Sequence, residues 1–320
     1  MNNPADRTGR EIPVGRLLPI IIVMMIFIAG CRGKSGSDRA GEGKIVVAVS
    51  TPALGRLVEE IGGDYFKAVV LIPSGADPEN YEPDMATMKT ASEAEAMLSL
   101  NTIGFEQTLT SRLHSAIPGM QVMDLSAGIE MLEHSHGGGE SNHGHEHGEG
   151  DRHVHADPHL LSSPRNARKV AANMAQVLIR MCPDAAEGIG ERAANLDSVL
   201  GDIDSRLLRM FKEKQGTAFV VMHPTMSYFA RDYGMRQIAL EQDGKEPSPR
   251  QMAERIEDAR RSGAELMIID PSKNSRTADD IGRRLGLKPY KADFNAADFI
   301  NQYLPLGRKL AEDSPSAIEK

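Results

Sequence analysis

Short runs of β-branched and apolar residues alternate with helical stretches along most of the chain, and the alternation occurs in two similar halves. The strand candidates of the first half are Lys44–Val49, Phe66–Ile72, Ala96–Leu100 and Met120–Leu125. Those of the second half are Thr217–Met222, Arg236–Leu240, Glu265–Ile269 and Pro289–Ala292. Strands that alternate with helices are connected by right-handed crossovers and form parallel sheets. The sequence therefore predicts an α/β fold of two lobes, each a four-stranded parallel sheet flanked by helices.

A long helical segment separates the two halves. A helix begins at Pro164, the chain breaks at Cys182-Pro183-Asp184, and helical periodicity then continues to about Lys214. A helix from Ala185 to Lys214 would be about 45 Å long, and most globular helices are much shorter. We expect one long rigid helix that joins the lobes, with an ordinary surface helix as the alternative. The predicted divisions are an N-terminal lobe at 44–183, a linking helix at 184–214 and a C-terminal lobe at 215–320.

The first 43 residues have the composition of an export signal followed by a tether. Three arginines precede Leu17–Gly30, an uncharged apolar run that is too short for a comfortable membrane span. Cys31 follows two small residues, as in the lipobox of bacterial lipoproteins, where the cysteine is lipidated. We predict a signal peptide at 1–30, a lipidated Cys31 and a flexible Gly/Ser-rich tether at 31–43, with a short membrane anchor as the alternative. Both alternatives place the rest of the chain outside the cytoplasm.

A histidine-rich segment, residues 134–155, interrupts the first half. It contains seven of the ten histidines: His134, His136, His143, His145, His147, His153 and His155. Glycine and histidine mixed in this way cannot build a core, and clustered imidazoles bind zinc, nickel or copper. The segment therefore predicts a mobile loop that collects metal ions, and a neutral polar linker is the alternative.

Charge and motif content disfavour several classes of function. The chain has 37 basic and 45 acidic residues, a net charge of −8, which disfavours nucleic acid as a partner and is compatible with cations. Its two cysteines are Cys31 and Cys182, so a lipidated Cys31 leaves no intramolecular disulfide. Neither a His-Glu-x-x-His motif nor a Gly-x-Ser-x-Gly elbow is found. These absences disfavour the common hydrolases.

Four polar residues close to the ends of predicted elements are candidates for a metal site. Ligands of open parallel sheets bind beyond the carboxyl ends of the strands. Glu79 lies after the second strand, His223 directly follows the fifth, Asp293 follows the last, and His159 lies just before the helix at Pro164. Each residue alone is more often structural or solvated. Together, two imidazoles and two carboxylates form a plausible ligand set for a divalent metal between the lobes.

The motifs around these residues resemble those of the cluster A-I solute-binding proteins, the metal-binding subunits of bacterial ABC importers for zinc and manganese. The resemblance covers nearly all of residues 44–310. The matching segments are Gly75-Ala76-Asp77-Pro78, Tyr81-Glu82-Pro83, Asn101-Thr102-Ile103-Gly104-Phe105-Glu106, Asp157-Pro158-His159-Leu160, His223-Pro224-Thr225, Tyr228-Phe229-Ala230-Arg231-Asp232-Tyr233-Gly234 and Gly244-Lys245-Glu246-Pro247-Ser248-Pro249. Their order and spacing are more specific than any one of them.

The resemblance implies a function and a ligand set. The protein would capture a divalent ion and deliver it to a membrane permease driven by an ATPase, as a lipid-anchored monomer and not as an enzyme. His159 and His223 match two family ligands without adjustment. The first family ligand is usually histidine, where this sequence has Glu79. The fourth, an aspartate normally followed by Pro-Leu, corresponds to Asp293, which is followed by Phe294-Asn295.

The identity of the ion depends on these departures. A set of two histidines and two carboxylates suits manganese or ferrous iron as well as zinc, because oxygen ligands favour harder ions. The histidine-rich segment favours zinc, and one of its histidines could replace the missing nitrogen ligand. We expect zinc as the transported substrate. The alternatives are a manganese- or iron-binding member of the family, a surface adhesin or scavenger without a permease, and a metalloenzyme on a two-lobed α/β fold.

Overall fold

The computed structural model describes most of the chain that follows the predicted tether. The described residues are 43–76, 78, 81–82, 84–102, 106–107, 110, 120–132, 156–241, 248–271 and 275–313. The predicted signal peptide, Cys31, Glu79 and the histidine-rich segment lie outside them, as does most of a helix predicted at Gly104–His114. Within the described ranges, no helix is both long and apolar enough to cross a membrane.

Two four-stranded parallel sheets form the framework. The first has the strand order β2-β1-β3-β4, with β1 at Ile45–Val49, β2 at Phe66–Val70, β3 at Ala96–Ser99 and β4 at Gln121–Asp124. The second has the order β6-β5-β7-β8, with β5 at Ala218–Val221, β6 at Arg236–Ala239, β7 at Met267–Ile269 and β8 at Pro289–Lys291. All eight strands lie within two residues of their predicted bounds. The predicted fold class is confirmed.

Among the described residues there are eight α-helices, and four of them begin at a side-chain cap. They are α1 at Pro52–Gly62, α2 at Met85–Ser92, α3 at Pro164–Met181, α4 at Ala186–Phe211, α5 at Ser227–Tyr233, α6 at Pro249–Arg261, α7 at Ser275–Leu285 and α8 at Phe299–Asp313. Ser163 accepts a hydrogen bond from the backbone N–H of Asn166 at the start of α3. Ser248 and Gln251 form a capping box at the start of α6, as the sequence Ser248-Pro249-Arg250-Gln251 predicts. Proline in the first turn adds a preformed helical φ angle to these caps.

One apolar core extends through both halves. It includes Val47 and Val49 of the first sheet, Phe219 of the second sheet, and Leu200 and Phe211 of α4. Smaller clusters cover the opposite face of each sheet. Burying both faces explains why the central strands are apolar at nearly every position. The shared core explains why residues 44–320 form one compact unit.

Helix α4 joins the two halves. Near its start, the Arg192 side chain donates a 2.8 Å hydrogen bond to the Ile61 carbonyl at the end of α1. Further along, the Asp204 carboxylate accepts one of 2.9 Å from the Tyr233 hydroxyl of α5. The long joining helix is thus present, with 26 residues. The lobe boundaries at 183/184 and 214/215 stay a prediction.

Candidate metal site

His159 is oriented by a neighbouring carboxylate. It precedes the short 3₁₀ turn Leu160–Ser162 that leads into α3. Asp157 Oδ1 accepts a hydrogen bond from the His159 backbone N–H and also lies 2.9 Å from His159 Nδ1. Both side chains are largely buried, with 11% of His159 and 3% of Asp157 exposed. A carboxylate on one ring nitrogen fixes an imidazole and directs the other nitrogen, Nε2, toward a metal.

Asp157 is ionised at neutral pH. Burial raises the pKa of its carboxyl. The hydrogen bonds and charge of His159, together with the hydroxyl of Ser227, lower the pKa by more than burial raises it, so the net pKa is below the usual value. An ionised carboxylate makes the imidazole beside it a stronger electron donor to a metal. The structure therefore provides an oriented and activated histidine at this position.

Tyr228 of α5 joins this region to the other half of the molecule. Its hydroxyl donates a 2.8 Å hydrogen bond to the Asp157 carbonyl and accepts one of 3.2 Å from the Leu132 N–H. The Asp157 N–H in turn donates to the Leu132 carbonyl at 2.8 Å. Burial raises the pKa of Tyr228 to about 12, so the phenol stays protonated. The two residues that flank segment 133–155 are thus held together and tied to α5.

His223 lies next to His159, although it comes from the second sheet. It follows β5 after one residue and is 4% exposed. The two imidazole ring centroids are 5.4 Å apart, with an angle of 69° between the ring planes. Glu241, just after β6, places Oε2 3.8 Å from His223 Nδ1. Each of the two predicted histidine ligands therefore has its own carboxylate beside it.

Asp293 lies in a loop that α8 holds in place. The Asp293 N–H donates to Gln302 Oε1 at 2.8 Å, and Gln302 Nε2 donates back to the Asp293 carbonyl at 2.9 Å. The Asp293 carboxylate accepts from the Asn295 N–H at 2.8 Å. Burial raises the pKa of Asp293, and the nearby charge of Asp270 raises it further. The site therefore disfavours a bare negative charge at Asp293 and favours a cation beside it.

A small cavity lies between these residues. His159, Thr225, Asp270 and Asp293 line a space of about 20 Å³. A space of this size accommodates roughly one water molecule or one ion, whereas organic ligands usually occupy a few hundred Å³ or more. The cavity favours an ion over a metabolite as the bound species.

Not every predicted ligand can be placed at this cavity. Glu79 lies outside the described residues, although its neighbours Ala76 and Pro78 line a second cavity with Asp270 and Asp293. In the part of the chain that the structure describes, no three side chains of His, Cys, Asp or Glu form a group that could hold a metal ion. The ligand set of Glu79, His159, His223 and Asp293 therefore stays a prediction.

The sequence interpretation missed several residues of this region. Asp270 directly follows β7 and lines both of these cavities, and it lines a third cavity with His223 and Thr225. The rule that placed ligands after strand ends applies equally to it, so its signal was present in the sequence. The same rule applies to Glu241, which directly follows the predicted strand Arg236–Leu240. Tyr228 carried no such signal, because it acts on a loop that is distant in sequence.

Comparison with known proteins identifies the family. A family model described as the zinc-uptake complex component A, periplasmic, matches residues 47–311. The chain belongs to this family. It is 26% identical over 276 residues to the high-affinity zinc uptake system protein ZnuA of Bacillus subtilis, covering 84% of this chain and 85% of that protein.

Other relatives support the family assignment. The zinc-binding protein AdcA of a Streptococcus pyogenes serotype M3 strain is 25% identical over 256 residues, or 77% of this chain. The match covers 50% of AdcA, so this chain spans about half the length of these relatives. A solved structure of a ZnuA deletion mutant with zinc bound is 27% identical and superimposes with a TM-score of 0.74, covering 85% of this chain and 99% of that one.

Proposed function

We propose that this chain is the extracytoplasmic solute-binding subunit of a zinc ABC importer. It captures Zn²⁺ as cargo in the cleft between the two lobes and releases the ion unchanged. The observation that carries the proposal is the pair of imidazoles of His159 and His223, which come from different halves and lie 5.4 Å apart. The Asp157 carboxylate, 2.9 Å from His159 Nδ1, is a typical outer-shell partner of a metal-binding histidine, and the Glu241 carboxylate lies 3.8 Å from His223 Nδ1.

The proposed ligands are His159, His223, Asp293 and Glu79. Two nitrogen and two oxygen donors are an acceptable set for Zn²⁺. The names of the relatives, which refer to zinc uptake and zinc binding, support zinc as the ion. Manganese is the second candidate, because half of the proposed donors are carboxylates.

The proposed location and partners follow from the family and from the N-terminal sequence. Cys31 carries lipid, and the tether at 31–43 holds the body outside the cytoplasmic membrane, on the periplasmic side in a Gram-negative cell. The S. pneumoniae relative AdcA is named a lipoprotein. The partners are a membrane permease and its ATPase, and the subunit acts as a monomer without catalysing a reaction.

The histidine-rich segment 134–155 is proposed to collect ions for the cleft. Support comes from Leu132 and Asp157, which lie on either side of the segment and are both hydrogen-bonded to Tyr228. Asp157 is only two residues before His159, so the segment ends close to the site. Deletion of Ser135–Val154 should slow zinc loading or lower its stoichiometry while one tight site remains. Loss of the tight site itself would refute the collector role.

Metal analysis of the protein purified without added metal tests the central proposal. The expected result is one tightly held zinc per chain, with zinc displacing manganese in competition against a chromogenic chelator. Glu79→Ala should weaken zinc binding, whereas the control Glu82→Ala, at an exposed neighbouring carboxylate, should not. Absence of a tight zinc site in the wild type would refute the proposed function, and equal binding by Glu79→Ala would remove only Glu79 from the ligand set.

A further inference from the structure

Asp270 directly follows β7, and the proposed ligand set does not use it. It lines the first cavity with His159 and Asp293, and the third cavity with His223. It also lines the second cavity, whose wall includes Pro78, the residue before Glu79. No other side chain of the described residues lines all three cavities. Asp270 thus shares a cavity with each predicted ligand that the structure describes, His159, His223 and Asp293.

The register of the second sheet explains this position. Val221 of β5 pairs with Ile268 of β7. His223 and Asp270 each come two residues after this pair, so they stand at the same level of the sheet. Ile269 of β7 pairs with Lys291 of β8, which places Asp293 one residue beyond the level of Asp270. Neighbouring strands lie about 4.8 Å apart. Three adjacent strand ends therefore carry an imidazole and two carboxylates at nearly the same level of the sheet, although in the described part of the chain no three such side chains already form a group that could hold an ion.

The chemistry of this row favours a cation. Two carboxylates that face one small cavity repel each other, and a divalent ion between them removes that repulsion. An aspartate side chain has few rotatable bonds, so rotation about χ1 can turn its oxygens toward an ion at little entropic cost. The cavity that Asp270 shares with His159 and Asp293, about 20 Å³, has room for one ion.

We propose that Asp270 supplies an oxygen ligand to the bound ion. His223, Asp270 and Asp293 come from three adjacent strand ends of one sheet, and the oxygen of Asp270 adds to the proposed donors His159, His223, Asp293 and Glu79. This inference rests on the proposed function, because it specifies the ligands of the same site. The oxygen of Asp270 also adds to the tolerance of the site for manganese, since carboxylates suit harder ions.

The test compares Asp270→Asn with Asp279→Asn, which removes the same charge at an exposed position of α7 in the same half. Zinc affinity is measured by chelator competition, and the visible absorption of Co²⁺-loaded protein reports the ligands of the ion. Asp270→Asn should weaken zinc binding by roughly 10-fold or more, weaken manganese binding further, and change the Co²⁺ spectrum. Asp279→Asn should match the wild type in all three. Asp270→Glu, which keeps the carboxylate, should restore a large part of the affinity lost in Asp270→Asn.

The outcomes separate this inference from the proposed function. Wild-type affinity and an unchanged Co²⁺ spectrum in Asp270→Asn would overturn the inference and leave the zinc-binding function standing. Reduced affinity with an unchanged Co²⁺ spectrum would also overturn the inference, because Asp270 would then affect binding through the structure of the site and not as a ligand. The melting temperature of the metal-free variants distinguishes loss of a ligand from loss of folding. Failure of the wild type to bind zinc would count against the function itself.

Discussion

The two sheets have the same strand order but carry different kinds of side chain just after their strands. In the first sheet, β1 is followed by Ser50 and Thr51, which are buried, and Thr51 caps α1. In the second sheet, β5, β7 and β8 are followed by His223, Asp270 and Asp293, which line the small cavities. The end of β1 therefore serves mainly in helix capping and packing, although Thr51 also lines the second cavity. The strand ends of the second sheet supply two of the four predicted ligands, whereas those of the first sheet supply one, Glu79.

Glu106 shows how the first sheet uses an acidic residue. Its carboxylate is fully buried, accepts a 2.5 Å hydrogen bond from the Ser50 hydroxyl, and accepts a longer one from the Leu100 N–H. Among the described residues, no donor reaches its Oε2. Burial raises the pKa of Glu106 although these hydrogen bonds lower it. This carboxyl connects the ends of β1 and β3, whereas the carboxylates of the second sheet line a cavity.

Removal of an imidazole should give the largest effect on metal binding. His223→Ala is expected to lower zinc affinity by more than about 100-fold, because it removes a ligand, and outer-shell changes alone cost roughly 10–100-fold. Ser50→Ala, at the end of the equivalent strand of the first sheet, should leave zinc affinity nearly unchanged. Chelator competition measures both. Similar losses in the two variants would contradict the division of roles between the sheets.

The carboxylate beside His159 should have the next largest effect. Asp157→Asn keeps the shape but weakens the hold on the imidazole, and roughly 10–100-fold lower zinc affinity is expected. Asp184→Asn, at the 3₁₀ turn between α3 and α4, serves as the charge-matched control. Unchanged zinc affinity in Asp157→Asn would show either that His159 binds the ion without help from Asp157 or that His159 does not bind the ion.

Loss of the Tyr228 hydroxyl should have a smaller effect. Tyr228→Phe removes the hydrogen bonds to Asp157 and Leu132 and leaves buried backbone groups unpaired, which costs about 1–3 kcal/mol of unfolding free energy. Zinc affinity should fall only a few-fold, because Tyr228 acts through Asp157. Chemical denaturation and chelator competition measure the two effects. A loss of affinity as large as that of Asp157→Asn would place Tyr228 among the main determinants of the site.

Glu106→Gln should change the pH dependence of stability and not the zinc affinity. A carboxyl whose pKa is raised in the folded state stabilises the protein below its unfolded pKa, near 4.5, and this contribution is lost as pH rises through the folded pKa. Between these two pKa values, the unfolding free energy of the wild type should therefore fall relative to that of the glutamine variant. The difference should be on the order of 1 kcal/mol at neutral pH. Denaturation of metal-free protein at several pH values measures the difference. Parallel pH profiles would contradict the assignment, and reduced zinc affinity would connect Glu106 to the metal site.

Local chemistry explains why the elements could be predicted from the sequence. The apolar runs of the eight strands, the capping box at Ser248 and the proline at the start of α3 act within a few residues of where they stand. Helix α4 ended at Phe211, three residues before the predicted Lys214, because the last residues form a turn that leads into β5. The strand-end rule also pointed to His223 and Asp293.

The sequence by itself determined the alternation of strands and helices, the helix starts and the family motifs, because these depend on neighbours along the chain. Tertiary structure alone decided that His159 lies against His223, that Tyr228 holds the flanks of segment 133–155, and that Asp270 lies between the predicted ligands. These contacts depend on strand order, register and the packing of one half on the other. Residues far apart in the chain become neighbours only when both sheets share one core.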